Sequence, residues 1–129
     1  MPLPITTFYA SLLALLYIGL SNAVALTRIR LRVGIGDGEN RLLARLIRVH
    51  GNFAEYVPFG VILLLLLESN GYSSHALHGY GVALVAARIS HAVGLGRRAG
   101  ASVPRFLGIT ATFVLIGVAA CLLLLGIKL

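Results

Sequence analysis

Charge is scarce in this chain of 129 residues, and acid scarcer still. Charged residues make up 12% of it, and ten arginines and one lysine face four acids for a formal net charge of +7. With 58% hydrophobic residues and a mean hydropathy of +0.93, this is one domain's length but too apolar for a soluble one. A single cysteine, Cys121, excludes an intramolecular disulfide; it lies inside the apolar run Val114 to Leu125 and reads as packing. No Gly-Lys-Ser/Thr tripeptide follows the glycines of Gly34-Ile35-Gly36-Asp37-Gly38, so that loop reads as turn material, not a phosphate cradle. Internal repeats and zinc-type Cys/His spacings are also missing, which argues against a solenoid and against a metal centre. Such basicity in a soluble chain would suggest nucleic acid, but these arginines flank apolar runs, so topogenic charge is the simpler reading and no nucleic-acid partner is expected.

What is present is a series of long apolar segments. Ile5 to Leu26 carries no charge over 22 residues, Phe53 to Leu67 is the later part of a helix beginning near Asn40 or Arg41, and Leu77 to Val93 and Phe106 to Ile127 follow. At roughly 20 residues per crossing, the chain holds four spans, over about residues 5–26, 41–67, 77–95 and 104–127, and residues 1–129 form a single all-α, integral membrane four-helix bundle. The first helix is read as retained: Ala23-Val24-Ala25 resembles a signal-peptidase site, but no basic residue precedes the stretch. Arg28, Arg30, Arg32, Arg41, Arg45 and Arg48 lie in or beside the first connection, and Arg97, Arg98 and Arg105 in or beside the third. The second connection has no Lys or Arg. The positive-inside bias therefore puts connections one and three in the cytoplasm and both termini on the other side.

Arg41, Arg45, Arg48, Asn52 and Glu55 follow steps of four, three, four and three, one face of a helix running from water into lipid. A carboxylate so placed needs a cation. Arg88 of the third span, at a similar depth, is the expected partner of Glu55, and His91 extends that polar face by three residues. Two readings stay open: a buried ion pair with hydrogen bonds fixing helix register, or a site for an anionic ligand, favoured by more cations than one carboxylate neutralises. Tyr56 reads as an interfacial anchor or a donor, and Pro58 as a break that opens space beside Glu55. His75 and His78 read as interfacial hydrogen-bonding groups. A transport path would carry ionisable groups across the whole membrane, whereas these occupy the cytoplasmic half.

The string Arg48-Val49-His50-Gly51-Asn52-Phe53-Ala54-Glu55-Tyr56-Val57-Pro58 resembles the signature of the MAPEG family, the membrane-associated proteins in eicosanoid and glutathione metabolism. Ala87-Arg88-Ile89-Ser90-His91 followed by Gly94 is similar to the family's third-helix segment, and nearly the whole chain fits, in the style of the short bacterial members. The resemblance implies a homotrimer in the bacterial inner membrane with glutathione sites between neighbouring subunits, facing the cytoplasm. It implies a glutathione-dependent transferase or peroxidase acting on lipophilic electrophiles or hydroperoxides, with glutathione as co-substrate and no metal. Carried over by position, Arg48, His50, Asn52, Glu55 and Tyr56 line the glutathione site from the second helix. Arg28 approaches from the adjacent subunit, Arg88 is a structural or ligand-facing arginine, and His91 replaces a frequent tyrosine. The chain departs from the pattern at Leu95, where the family has a second tyrosine. The position of the thiol-activating arginine, counted from Arg88, falls on Ser102. Arg105, three residues on, takes that role by resemblance, with Arg98 as the alternative. The departures keep a rival class open, a non-catalytic membrane binding or assembly protein retaining the fold.

Overall fold

A computed structural model describes residues 2–97 and 102–126, and of Arg97 the backbone alone. These residues form four helices: α1 (Pro4–Leu31), α2 (Arg41–Ser69), α3 (Ser74–Arg97) and α4 (Val103–Gly126). Proline at the start of α1 is compatible with a first turn that needs no N–H partner. The α1–α2 connection turns through Gly36 and Gly38, both at positive φ (73° and 56°), where a side chain is disfavoured. Asn40 then caps α2, its Oδ1 accepting from the backbone N–H of Leu42 and Leu43 at 3.0 Å each. Thus α2 begins in polar sequence, ahead of its apolar run, and it continues unbroken through Pro58.

The bundle is an integral membrane fold. α1, α2 and α4, with 28, 29 and 24 residues, are long and apolar enough to cross a membrane. α3 has 24 residues, about 36 Å at 1.5 Å per residue, but its composition is more polar because it carries His75, His78, Arg88 and His91. Arg88 and His91 are buried between the helices, so α3's polarity is partly turned inward. On the outside stand large apolar side chains that water would not tolerate in such numbers: Leu15 is 71% exposed, Phe59 64%, Phe106 67% and Leu125 85%.

α2 and α3 each touch all three other helices; α3 packs most extensively on α4, and α1 and α4 make no contact among the described residues. The apolar core runs through Tyr9, Leu13, Phe53, Leu64, Leu77, Leu84 and Ala119. Tyr9 lies against the backbone of Gly81, a position with no room for a Cβ, and its hydroxyl meets His78 Nδ1 at 3.0 Å. At the same end of the bundle, Glu68 accepts from the backbone N–H groups of Ile5 (3.0 Å) and Thr6 (2.7 Å). Leu3 at the α1 N-cap offers no side-chain cap, so α2 supplies one from more than sixty residues away. Glu68→Ala is expected to cost about 1 kcal/mol, as for loss of an N-cap. Amide exchange at Ile5 and Thr6 should accelerate while the core amides stay protected; equal protection in both proteins would show that water replaces the carboxylate without loss.

Candidate functional site

The helix steps read from the sequence do bring Arg41, Arg45 and Arg48 to one place. Together with Ala44 they line a hollow of about 580 Å³, closed on the other side by Leu95 of α3 and Arg105 of α4. Four guanidinium side chains thus surround one space with no acid in its lining, an arrangement suited to a multiply charged anion. Arg105 is half-buried and belongs to this group. Ser102, the residue that the ungapped count reaches, does not: its hydroxyl packs against Gly94, buried and without a hydrogen-bond partner among the described residues. Arg98, the alternative to Arg105, lies outside the described residues.

Glu55 is bound differently from the expectation. It pairs with Arg48 of its own helix, Nη1 to Oε1 at 3.2 Å, and both side chains are largely exposed, at 60% and 46%. Seven residues on a helix rise about 10 Å, a gap that two long side chains reaching toward each other can close. The expected Arg88–Glu55 ion pair is therefore absent. This changes the consequence of removing Glu55: an exposed pair contributes at most about 1 kcal/mol, so Glu55→Ala should leave the thermal midpoint in detergent nearly unchanged. A large drop would mean that the carboxylate sits in a drier place than this geometry gives it.

Arg88 is 1% exposed and is held by neutral groups. Nη2 donates to Asn52 Oδ1 at 2.6 Å, Nη1 donates to Thr112 Oγ1 at 3.4 Å, and the guanidinium carbon lies 5.6 Å from the centroid of the Phe53 ring. The Thr112 hydroxyl in turn donates to the Gly108 carbonyl at 2.7 Å. Among the described residues no carboxylate lies within ion-pair distance of Arg88. Its Nε finds no partner among the described residues, so this dry cation is held by the two Nη hydrogen bonds and the ring face, contacts that tie α2, α3 and α4 to one another. His91 is also buried, against the α4 backbone at Gly108.

The other sequence-derived residues are dispersed around this centre. His50 faces α1, its ring 4.9 Å from that of Tyr17. Tyr56 faces α4, in edge contact with Phe113 at 5.2 Å. Arg28 points back to the α1–α2 connection, with Nη1 3.5 Å from the Val33 carbonyl and 3.3 Å from that of Gly34. Within one chain, then, Arg48 and Arg105 line the hollow, with Glu55 reaching it only through its pair with Arg48; Asn52, Arg88 and His91 are buried, and Arg28, His50 and Tyr56 stand apart. Sequence reasoning missed Thr112 and Phe53. Thr112 could have been flagged as a hydroxyl in the middle of the most apolar helix, where a polar group needs a partner; Phe53 carries no such signal.

Compared with known proteins, residues 6–125 match the MAPEG family. The chain belongs to that family. Among curated proteins it is similar to Inner membrane protein YecN of Escherichia coli strain K12, 38% identical over 94 residues that cover 73% of this chain and 72% of that protein. The YecN of Escherichia coli O6:H1 matches to the same extent. The MAPEG match spans α2 and α3, the two helices that hold Asn52 and Arg88 in contact.

Proposed function

We propose that this MAPEG protein is a glutathione-dependent transferase or peroxidase of the bacterial inner membrane, acting on lipophilic electrophiles or hydroperoxides and working as a homotrimer. The observation that carries the reading is the exposed Arg48–Glu55 pair beside the arginine-lined hollow. The γ-glutamyl end of glutathione carries a carboxylate and an ammonium on one carbon. Arg48 would take the carboxylate and Glu55 the ammonium, exchanging one ion pair for two charge-assisted contacts. Arg28, turned away from the hollow of its own chain, would serve a neighbouring subunit and hold the second carboxylate. His50, Asn52, Tyr56, Arg88 and His91 complete the glutathione site by their match to the family pattern.

The reacting atom is the glutathione sulfur, a nucleophile only as thiolate, and a free thiol with a pKa of about 8.5 is a few per cent ionised at neutral pH. A shift of two units takes about 2.7 kcal/mol of preferential thiolate stabilisation, within reach of one partly dehydrated guanidinium. Arg105 would supply it. The thiolate then displaces a leaving group or opens a strained ring, forming a C–S bond. With a hydroperoxide, two glutathione molecules give the alcohol, water and glutathione disulfide. The lipophilic partner would reach the sulfur laterally from the bilayer. The glutathione hollow would face the cytoplasm and both termini the opposite side, following the arginine-rich connections.

The non-catalytic alternative is favoured by one observation: Leu95, which offers no hydroxyl, lines the hollow where the family has a tyrosine. Steady-state turnover of a generic electrophile, and separately of a lipid hydroperoxide, by purified protein with glutathione decides between them. The enzyme reading expects saturable, glutathione-dependent turnover; glutathione binding without turnover of either substrate would favour the binding protein.

A further inference from the structure

α3 and α4 cross through two reciprocal notches. A Cβ on Gly94 of α3 would collide with the backbone of Arg105, reaching its Cα at 2.9 Å, and with the Ser102 hydroxyl at 2.9 Å. A Cβ on Gly108 of α4 would lie 2.6 Å from the backbone nitrogen of His91 and 2.8 Å from its Cβ. Each glycine thus receives the backbone of a polar residue that stands three positions from the other glycine. Near the same crossing the Ser90 hydroxyl donates to the carbonyl of Pro104, the residue before Arg105, at 2.9 Å. Arg105 sits in the first turn of α4, where tertiary contacts decide the position of the chain more than helix propagation does.

We infer that Gly94 and Ser90 are positioning residues that set Arg105 into the arginine-lined hollow: the missing side chain of Gly94 lets the first turn of α4 lie against α3, and the Ser90 hydrogen bond fixes its height along α3. For the chemistry this deepens the proposed glutathione reading, since Arg105 is its thiol-activating cation. The placement itself does not depend on that reading. Without the notch, α4 would have to move outward by about the size of a methyl group, and the guanidinium would leave the space shared with Arg41, Arg45 and Arg48.

The test reports the location of position 105 without needing turnover. Full-length protein in detergent, with Cys121→Ser and Arg105→Cys, is reacted with a sulfonate-bearing and a trimethylammonium-bearing methanethiosulfonate. If position 105 lies among three arginines, the anionic reagent should be favoured by ~10-fold or more relative to its preference for a free small thiol, as expected for a charge-focusing cleft. Adding Gly94→Ala should collapse that preference toward the free-thiol ratio. Ser90→Ala should reduce it several-fold, and Ser90→Thr, which keeps the hydroxyl, should restore it. An unchanged ratio in a folded Gly94→Ala protein would overturn the inference. Should that variant fail to fold, equal ratios for Ser90→Ala and the parent would do the same. In the Arg105-containing protein, Gly94→Ala should lower kcat at nearly constant KM for glutathione. Absence of turnover in the parent would sink the enzyme reading and leave the reagent ratios to judge the positioning.

Discussion

Arg105→Leu is expected to reduce glutathione-dependent turnover by roughly 30- to 150-fold, while glutathione still binds. The estimate comes from losing about 2–3 kcal/mol of charge-assisted hydrogen bonding that acts on the thiolate and the transition state. Arg48 and Glu55, which hold the remote amino-acid end in this account, remain in place. Arg48→Leu should do the opposite, raising KM first, because its contact is made equally in the bound ground state and the transition state. It also strands Glu55, but on an exposed face where water takes over, so the protein should remain folded. If Arg105→Leu raised KM and spared kcat, Arg105 would be a binding residue and the thiol would have another activator.

The largest effect on stability is expected at Asn52. Asn52→Leu removes the 2.6 Å acceptor from a guanidinium that is 1% exposed, leaving Thr112 as its one remaining polar partner among the described residues. A hydrogen bond to a charged group is worth about 1.5–3 kcal/mol, and a buried donor left unmade adds its desolvation cost, so a loss of about 3 kcal/mol is expected. Arg88→Leu strands only neutral groups and should cost less per lost contact. The double variant, apolar on both sides, should be less destabilised than the sum of the singles. Detergent-exchange unfolding of the four proteins checks this. Strict additivity would mean that Asn52 and Arg88 do not act as a unit.

The start of α2 near Asn40 or Arg41 and the shared face of the arginines were legible because helical periodicity is local, and both are seen here. The surplus of arginine over acid likewise pointed to a cation-lined space. The partner of Glu55 was not legible, because an intrahelical pair seven residues apart and an interhelical pair are equally consistent with the same stripe. Packing decides between them, and it gives Arg88 to Asn52, Thr112 and Phe53 instead. The role of Gly94 was hidden for a related reason: a glycine in an apolar helix announces a close approach but not what approaches. α3 was expected as a span like the others, yet it is the most polar of the four, since it supplies the buried cation and His91.

The central claim is that Arg105 makes bound glutathione a better nucleophile, and the direct measurement is the ultraviolet thiolate absorbance of glutathione bound to purified protein, titrated against pH. The account predicts a bound thiol pKa about two units below that of the free thiol in the parent, and a value near the free one in Arg105→Leu at saturating glutathione. Identical titrations in the two proteins would contradict it.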